Sequence, residues 1–422
     1  MVKTQGTESS EPVLTPEEAR LLLLISRPSL NAFQTELALS LLPKVQNWQS
    51  FTITAYRKFV LPMAYRNLKM LPDHGLPDDT VNLMRSLSLT FSTMTLHRLA
   101  AFDWFHTECV LPSDASYAYF KGPALASCFY PDPTFRFFRD VDLIVRQEHR
   151  LGLLRRAISQ GCTVYGHASV DEKDVKLVSD AALEDFLYLK MVPYIVTPQG
   201  VEIEMHAEID YHTSLFKTDA LLRKSREAII RNNPVKVIPD TEHFVFICYH
   251  HTRHLWSKLN WIADIDAFCN KPGFDREGAL QLARELKIES TVKASLELHE
   301  LASTGQHPSD LDQPTPGGDL LQVCLANLSG DLPLESQIRR EMKQRASVLG
   351  FHWQRTPVPI WRLAWLRLRK INVSYSVFRS IPGGPQFRNL RFGCALALRL
   401  AVDGPRAVWQ RLLQRGQFTH RP

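Results

Sequence analysis

Apolar residues recur at helical spacing through most of the first hundred positions. Phe33, Leu37 and Leu41 form one stripe, and Leu83, Leu87, Phe91 and Met94 form another. Side chains three and four apart share a helix face, so each stripe predicts a buried face. Thr15-Pro16-Glu17-Glu18 is a helix start, with Thr at the N-cap, Pro at the first helical position and acids in the first turn. The polar stretch 1–14 predicts a disordered leader, and 15–115 a helical region.

The period changes near residue 116. Tyr117 to Phe120 reads as a short aromatic strand, Lys121-Gly122 as a turn, and Pro123 to Phe129 as a helix. Asp140 to Val145 reads as a strand, Gln147 to Gln160 as a helix ended by Gly161, and Cys162 to Tyr165 as a strand. Phe186 to Pro193 is read as a further strand, and Val201 to His206 as one with clear alternation. Residues 116–210 are thus a small mixed-sheet α/β unit. Helical spacing returns over Thr241–Trp256, Leu259–Phe268, Glu277–Leu286 and Ser290–Thr304, so 211–305 is expected to be helical and to pack on that unit. Residues 306–318, rich in Pro, Asp and Gly, read as a linker. Residues 319–422 read as a helical, basic region, with two helices over 319–347. The fold class is α+β.

Composition adds a charge asymmetry. The chain of 422 residues is long enough for two or three domains and carries a net charge of +6. Residues 351–422 hold thirteen Lys and Arg against one acid, Asp403, about +12, which leaves about −6 for the rest. Such a segment attracts phosphate-bearing partners, an anionic lipid or a nucleic acid, or else is a solvated helix face. Trp361, Trp365 and Leu368 form an apolar stripe beside Arg362, Arg369 and Lys370. That pattern suits a membrane-surface or RNA-contacting helix, or a core-facing Trp pair. Seven scattered cysteines with no C-x-x-C pair argue against a disulfide framework or a zinc knuckle and fit a reducing cytosol. Leu21 to Ile25 is too short for a signal-peptide core. Phe392 to Leu398 is far short of the ~20 apolar residues of a membrane span. A cytoplasmic protein without a transmembrane segment is expected.

Three elements carry candidate chemistry. Asp140-Val141-Asp142 lies on a strand, where residues two apart share a face, so both carboxylates can reach one point. Two such acids repel unless a cation lies between them, and Mg²⁺ favours carboxylate and phosphate oxygens. On the later strand Glu202, Glu204 and His206 share a face opposite Val201, Ile203 and Met205; a solvated edge strand is the plainer explanation. Lys121-Gly122 ahead of a helix allows close backbone approach to a phosphate at the helix N-terminus. His250 and His254 sit one turn apart, at metal-ligand spacing, but His251 stands where a zinc protease has Glu. Helix packing, with a histidine or Arg253 aimed at a ligand, is the simpler expectation. Asp264 and Asp266 do not share a helix face and read as helix-surface or inter-helix partners.

The ordered set resembles the polymerase-β-like nucleotidyltransferases. More narrowly, Phe120-Lys121-Gly122, Tyr130-Pro131-Asp132-Pro133, Arg136 and Asp140-Val141-Asp142-Leu143-Ile144-Val145 resemble a family of bacterial, mostly uncharacterised nucleotidyltransferases. The resemblance continues at Glu202-Ile203-Glu204-Met205-His206 and through His250 to Leu259-Asn260-Trp261-Ile262-Ala263-Asp264, covering about residues 116–270. It implies that Asp140, Asp142 and Glu204 hold Mg²⁺, with Glu202 competing for the third place. It also implies that Lys121 and Gly122 hold the triphosphate of an NTP such as ATP, and that Arg136 contacts phosphate or braces the aspartates. A nucleoside monophosphate would pass to an unknown hydroxyl-bearing acceptor: a small molecule, a peptide or protein, or a nucleic acid. Pro123 departs from the superfamily, which places Ser or another donor there, and has no N–H to give. A catalytically silent nucleotide- or RNA-binding protein of the same fold is the alternative.

Overall fold

Thr15 opens the first helix as its sequence predicts: its side chain accepts from the Glu18 N–H while Glu18 reaches back to the Thr15 N–H. In the computed structural model, which describes residues 14–72, 74–166, 175–210, 214–328, 351–354, 375–398 and 401, helices α1 (Pro16–Ile25), α2 (Ala32–Leu41), α3 (Trp48–Arg57), α4 (Leu61–Met70) and α5 (Asp78–Phe105) follow one another. The chain then turns to β1 (Tyr117–Phe120), α6 (Gly122–Phe129), β2 (Asp140–Val145), α7 (Arg150–Ser159), β3 (Thr163–Gly166), β4 (Val175–Lys176), α8 (Asp180–Tyr188), β5 (Pro193–Val196) and β6 (Glu202–His206). After α9 (Thr218–Arg223) and the hairpin β7 (Arg226–Ile230) and β8 (Asn233–Val237) come α10 (Asp240–Arg253), α11 (Asn260–Cys269), α12 (Arg276–Glu285), α13 (Glu289–Thr304) and α14 (Pro316–Ala326). The strands form one mixed sheet, ordered β4-β3-β5-β6-β2-β1-β8-β7. The fold is α+β.

The chain divides into two compact units. The first draws on Met1–Trp104, Tyr117–Ile144 and Glu208–Ile360, the second on Phe105–Ser116, Val145–Ala207 and Trp361–Pro422. In the first, β1 pairs with β8 in parallel, Tyr119 opposite Val237, and β7 pairs with β8 as a hairpin. Around them α1–α6 and α10–α14 share one apolar core, with Leu21, Phe51, Leu125, Phe244 and Phe268 fully buried. A buried polar knot ties helices distant in sequence. Arg27 donates to Asp266 at 2.9 Å, and His299 Nε2 lies 2.8 Å from the same carboxylate. Asp266 is thus an inter-helix partner and not a surface acid.

In the second unit, β3, β5 and β6 are antiparallel, with Val164, Ile195 and Ile203 in one register row and Tyr165, Tyr194 and Glu204 in the next. The first row is buried, and the second carries the polar face. Arg150, fully buried at the start of α7, donates to the carbonyls of Met191 (2.9 Å) and Met205 (3.0 Å), holding β6 between Glu204 and His206. On the basic C-terminal region, Arg388 pairs with Glu184 and Asp185, and Arg391 with Asp185. These two charges are spent inside the unit. Trp361, Trp365 and Leu368 lie outside the described residues.

Two sequence expectations are corrected. Phe186 to Tyr188 is helix, not strand: Ser179 caps α8 by accepting from the Ala182 N–H, and Leu183, Phe186 and Leu187 recur at helical spacing on its buried face. Phe186 fills the space over Gly166, where a Cβ would stand 2.1 Å from its ring. Residues 226–237, read as part of a helical region, form the β7–β8 hairpin. Its turn residues Arg231 and Asn232 have φ of 47° and 70°, so both central residues are left-handed, as primed hairpin turns require. The 306–318 stretch holds a short 3-10 turn at Pro308–Asp310 and the start of α14.

Candidate active site

The Lys121-Gly122 turn is strained and locked. Lys121 has φ 49° and ψ −142°, a conformation rare for a side-chain-bearing residue. Its N–H donates to His243 Nε2 at 3.0 Å, and its carbonyl accepts the Leu125 N–H at 2.8 Å. His243 must be neutral to accept there. Burial achieves this, bringing its imidazole from 6.5 down to about 3. Gly122 has φ 25°, and a Cβ on it would lie 2.8 Å from the Asp140 carbonyl oxygen. The turn therefore sits against the start of β2, and only glycine permits that approach.

β2 presents its acids unequally. Asp140, at the first position, is half-buried, whereas Asp142 is 2% exposed. Lys121 Nζ donates to Asp142 Oδ1 at 2.7 Å and lies 5.2 Å from the Phe120 ring centroid. The ammonium supplies the compensating charge that a buried carboxylate needs.

Arg136 is 4% exposed and makes a two-pronged pair with Asp264, Nε to Oδ1 at 2.7 Å and Nη2 to Oδ2 at 2.9 Å. Asp264 is fully buried, not on the helix surface, and also accepts from the Tyr130 hydroxyl at 2.7 Å. Burial alone would raise its carboxyl, but Arg136 and His251 outweigh it and hold it at about 2. His251 stacks on Trp261, ring centroids 4.6 Å apart and planes 4° from parallel, with Nε2 3.6 Å from Asp264. Arg136 thus fixes the loop before β2 to α11. Lys121, Tyr130 and Arg136 were legible as motif residues; His243 as the partner of Lys121, and Asp264 as the partner of Tyr130 and Arg136, were not.

On β6, Glu204 and His206 share a face, their Oε2 and Nε2 3.2 Å apart, while Glu202 is exposed. Asp142, Glu204 and His206 are a candidate metal-ligand set, one ligand atom from each. His206 is thus a donor that the sequence reading had not counted, and His250 and His254 are not in the set. Two carboxylate oxygens and one imidazole nitrogen suit a divalent cation.

Lys258 went unnoticed in the sequence. It follows α10 and lies half-buried between two rings, 5.3 Å from the Phe59 centroid and 5.4 Å from that of Trp261. Burial, then Arg139, brings its ammonium down to about 8, against Asp140, which favours its charge.

Among the described residues no helix is long and apolar enough to cross a membrane. A comparison with curated proteins gave no match. A family described as uncharacterised nucleotidyltransferase matches residues 44–302, reaching beyond the 116–270 motif region into helices on both sides. With more than half of its length matched and its acids, turn lysine and Arg136 arranged as described, the chain belongs to this nucleotidyltransferase family.

Proposed function

We propose that the protein is an Mg²⁺-dependent enzyme that moves a nucleoside monophosphate from an NTP to a hydroxyl-bearing acceptor. The observation that carries this reading is the buried Asp142 carboxylate held by the Lys121 ammonium. A carboxylate so placed on the second strand of a nucleotidyltransferase is suited to hold a cation. Asp140, Asp142 and Glu204, with His206 as a further donor, would bind the metal, which when bound stabilises charge on the phosphate oxygens.

The chain's own residues do the rest. A cation at Asp142 would relieve Lys121 of its partner and leave its charge for a phosphate. Gly122 lets the turn approach that phosphate, and His243 keeps the turn in its strained form. Pro123 offers no donor, so phosphate contacts fall to Lys121 and to amides further along α6. Arg136 is committed to Asp264 and acts by fixing the loop before β2. Glu204 is suited to take the proton of the acceptor hydroxyl.

The test incubates the protein with the four NTPs labelled at the α-phosphate, Mg²⁺ and cell extract. Label should pass to an acceptor, and Asp142→Asn should lower the transfer at least ~100-fold while the protein stays folded. Transfer undiminished by Asp140→Asn and Asp142→Asn would sink the reading.

A further inference from the structure

Lys258 is held in place by a short, strained connection between α10 and α11. Leu255 and Trp256 have φ of 59° and 48°, two successive left-handed residues that are not glycine. The strain is anchored at both. Asn327 donates to the Leu255 carbonyl at 3.1 Å, while Trp256, 1% exposed, donates its indole N–H to Thr252 and its backbone N–H to His251. Beyond Lys258, the Trp261 N–H donates to its carbonyl, and Asn260 donates to the Phe137 carbonyl, beside Arg136. The Phe59 ring under Lys258 stacks on Phe137 at 5.2 Å. The lysine therefore stands on rigid supports and not on a mobile loop.

Its charge meets two ring faces but, unlike those of two of its neighbours, no paired carboxylate. Lys121 is paired with Asp142 and Arg136 with Asp264. Lys258 has no carboxylate within ion-pair distance among the described residues, and Asp140 is the acid that favours its charge against Arg139, Arg136 and Lys121. Once Asp140 and Asp142 are engaged by a cation, the positive charges of Lys258, Lys121 and exposed Arg139, which act on one another there, are left in surplus. An extended polyanion is the ligand that satisfies all three.

Resting on the nucleotidyltransferase reading above, we infer that Lys258 is a binding residue for the polyphosphate tail of the nucleotide, clamped between Phe59 and Trp261 and acting together with Lys121. The two rings hold the ammonium itself in place, and it contributes a point charge to the oxygens that leave.

Calorimetric titration of the full chain in Mg²⁺ with inorganic tripolyphosphate, the α,β-methylene analogue of ATP, and AMP tests this. Lys258→Gln should weaken tripolyphosphate and the analogue by ~tenfold or more and leave AMP within about threefold; Lys258→Arg should retain most of the affinity. Lys258→Met, which keeps an unbranched apolar side chain against the rings, replaces the glutamine variant if that one has a lowered melting temperature. Unchanged tripolyphosphate affinity in the charge-removing variant overturns the inference and leaves the nucleotidyltransferase reading standing. Equal weakening of AMP and tripolyphosphate also overturns it, since the lysine would then serve the nucleoside end. Failure of the wild-type chain to bind any of the three overturns both.

Discussion

Gly122 shows how much one residue decides at this site. A Cβ there would meet the Asp140 carbonyl at 2.8 Å, and the backbone is already at positive φ. Gly122→Ala should cost about 1–3 kcal/mol in urea denaturation and displace Asp140, lowering transfer more than stability alone accounts for. An alanine variant with wild-type midpoint and activity would show that the turn has slack. Asp264 makes a second case. Removing it strands Arg136, buried and without its two-pronged partner. Asp264→Ala should therefore cost about 3–5 kcal/mol, readable as a lowered denaturation midpoint, although Asp264 is not placed to touch substrate.

At the scale of elements, the positions of the acids depend on what grips their strands. β6 is gripped by Arg150, whose guanidinium reaches the Met191 and Met205 carbonyls. Arg150→Ala should cost about 2–4 kcal/mol through lost packing and two carbonyls left without donors. Hydrogen exchange should be fastest to respond in β6, and unchanged protection there would contradict this role. The two elements that differ from the sequence expectation do so for different reasons. In α8 the apolar positions Leu183, Phe186 and Leu187 were legible, but the cap at Ser179 was overlooked, so a helix end was taken for a strand. In the β7–β8 hairpin the turn residues are Arg231 and Asn232, and the usual glycine signal is missing. By contrast, the start of α1 and the bounds of β1, β2 and β6 agree within a residue, because α1 carries its own cap, β6 alternates, and β1 and β2 are short aromatic or β-branched runs bounded by polar residues.

Across the whole molecule, buried neutral histidines predict an acid limit. Burial lowers His243 from 6.5 to about 3, and lowers His251 from 6.5 to about 4 against the pull of Asp264. The unfolded chain takes up protons below about pH 6.5 that the folded chain refuses. Stability from these groups is full above that pH and falls as pH drops toward the folded values. The slope reaches about 1.4 kcal/mol per pH unit for each ring. Urea midpoints should fall between pH 7.5 and pH 5; a flat profile would mean that both rings are protonated in the folded chain. A divalent ion that binds the folded chain raises its melting temperature. Mg²⁺ should do so in the wild type and lose that effect in Asp142→Asn. Arg388 and Arg391 neutralise acids within their own unit, so the basic C-terminal region has less charge for an anionic partner than its sequence suggests.

The sequence by itself determined the α+β class, the order of turn, helix, arginine and paired aspartates, and the strand face shared by Glu204 and His206. These are local properties: alternation, helical spacing, capping and the special backbone freedom of glycine act within a few residues. Only the tertiary structure decided that Asp142 is buried against Lys121, that Arg136 is committed to Asp264, that a neutral His243 holds the turn, and that Lys258 lies between Phe59 and Trp261. Apart from Lys258 and Trp261, which are near neighbours along the chain, these pairs join residues 21 to about 200 positions apart. Charge compensation, desolvation and ring packing act through space, and no pattern along the chain encodes which distant partner will arrive.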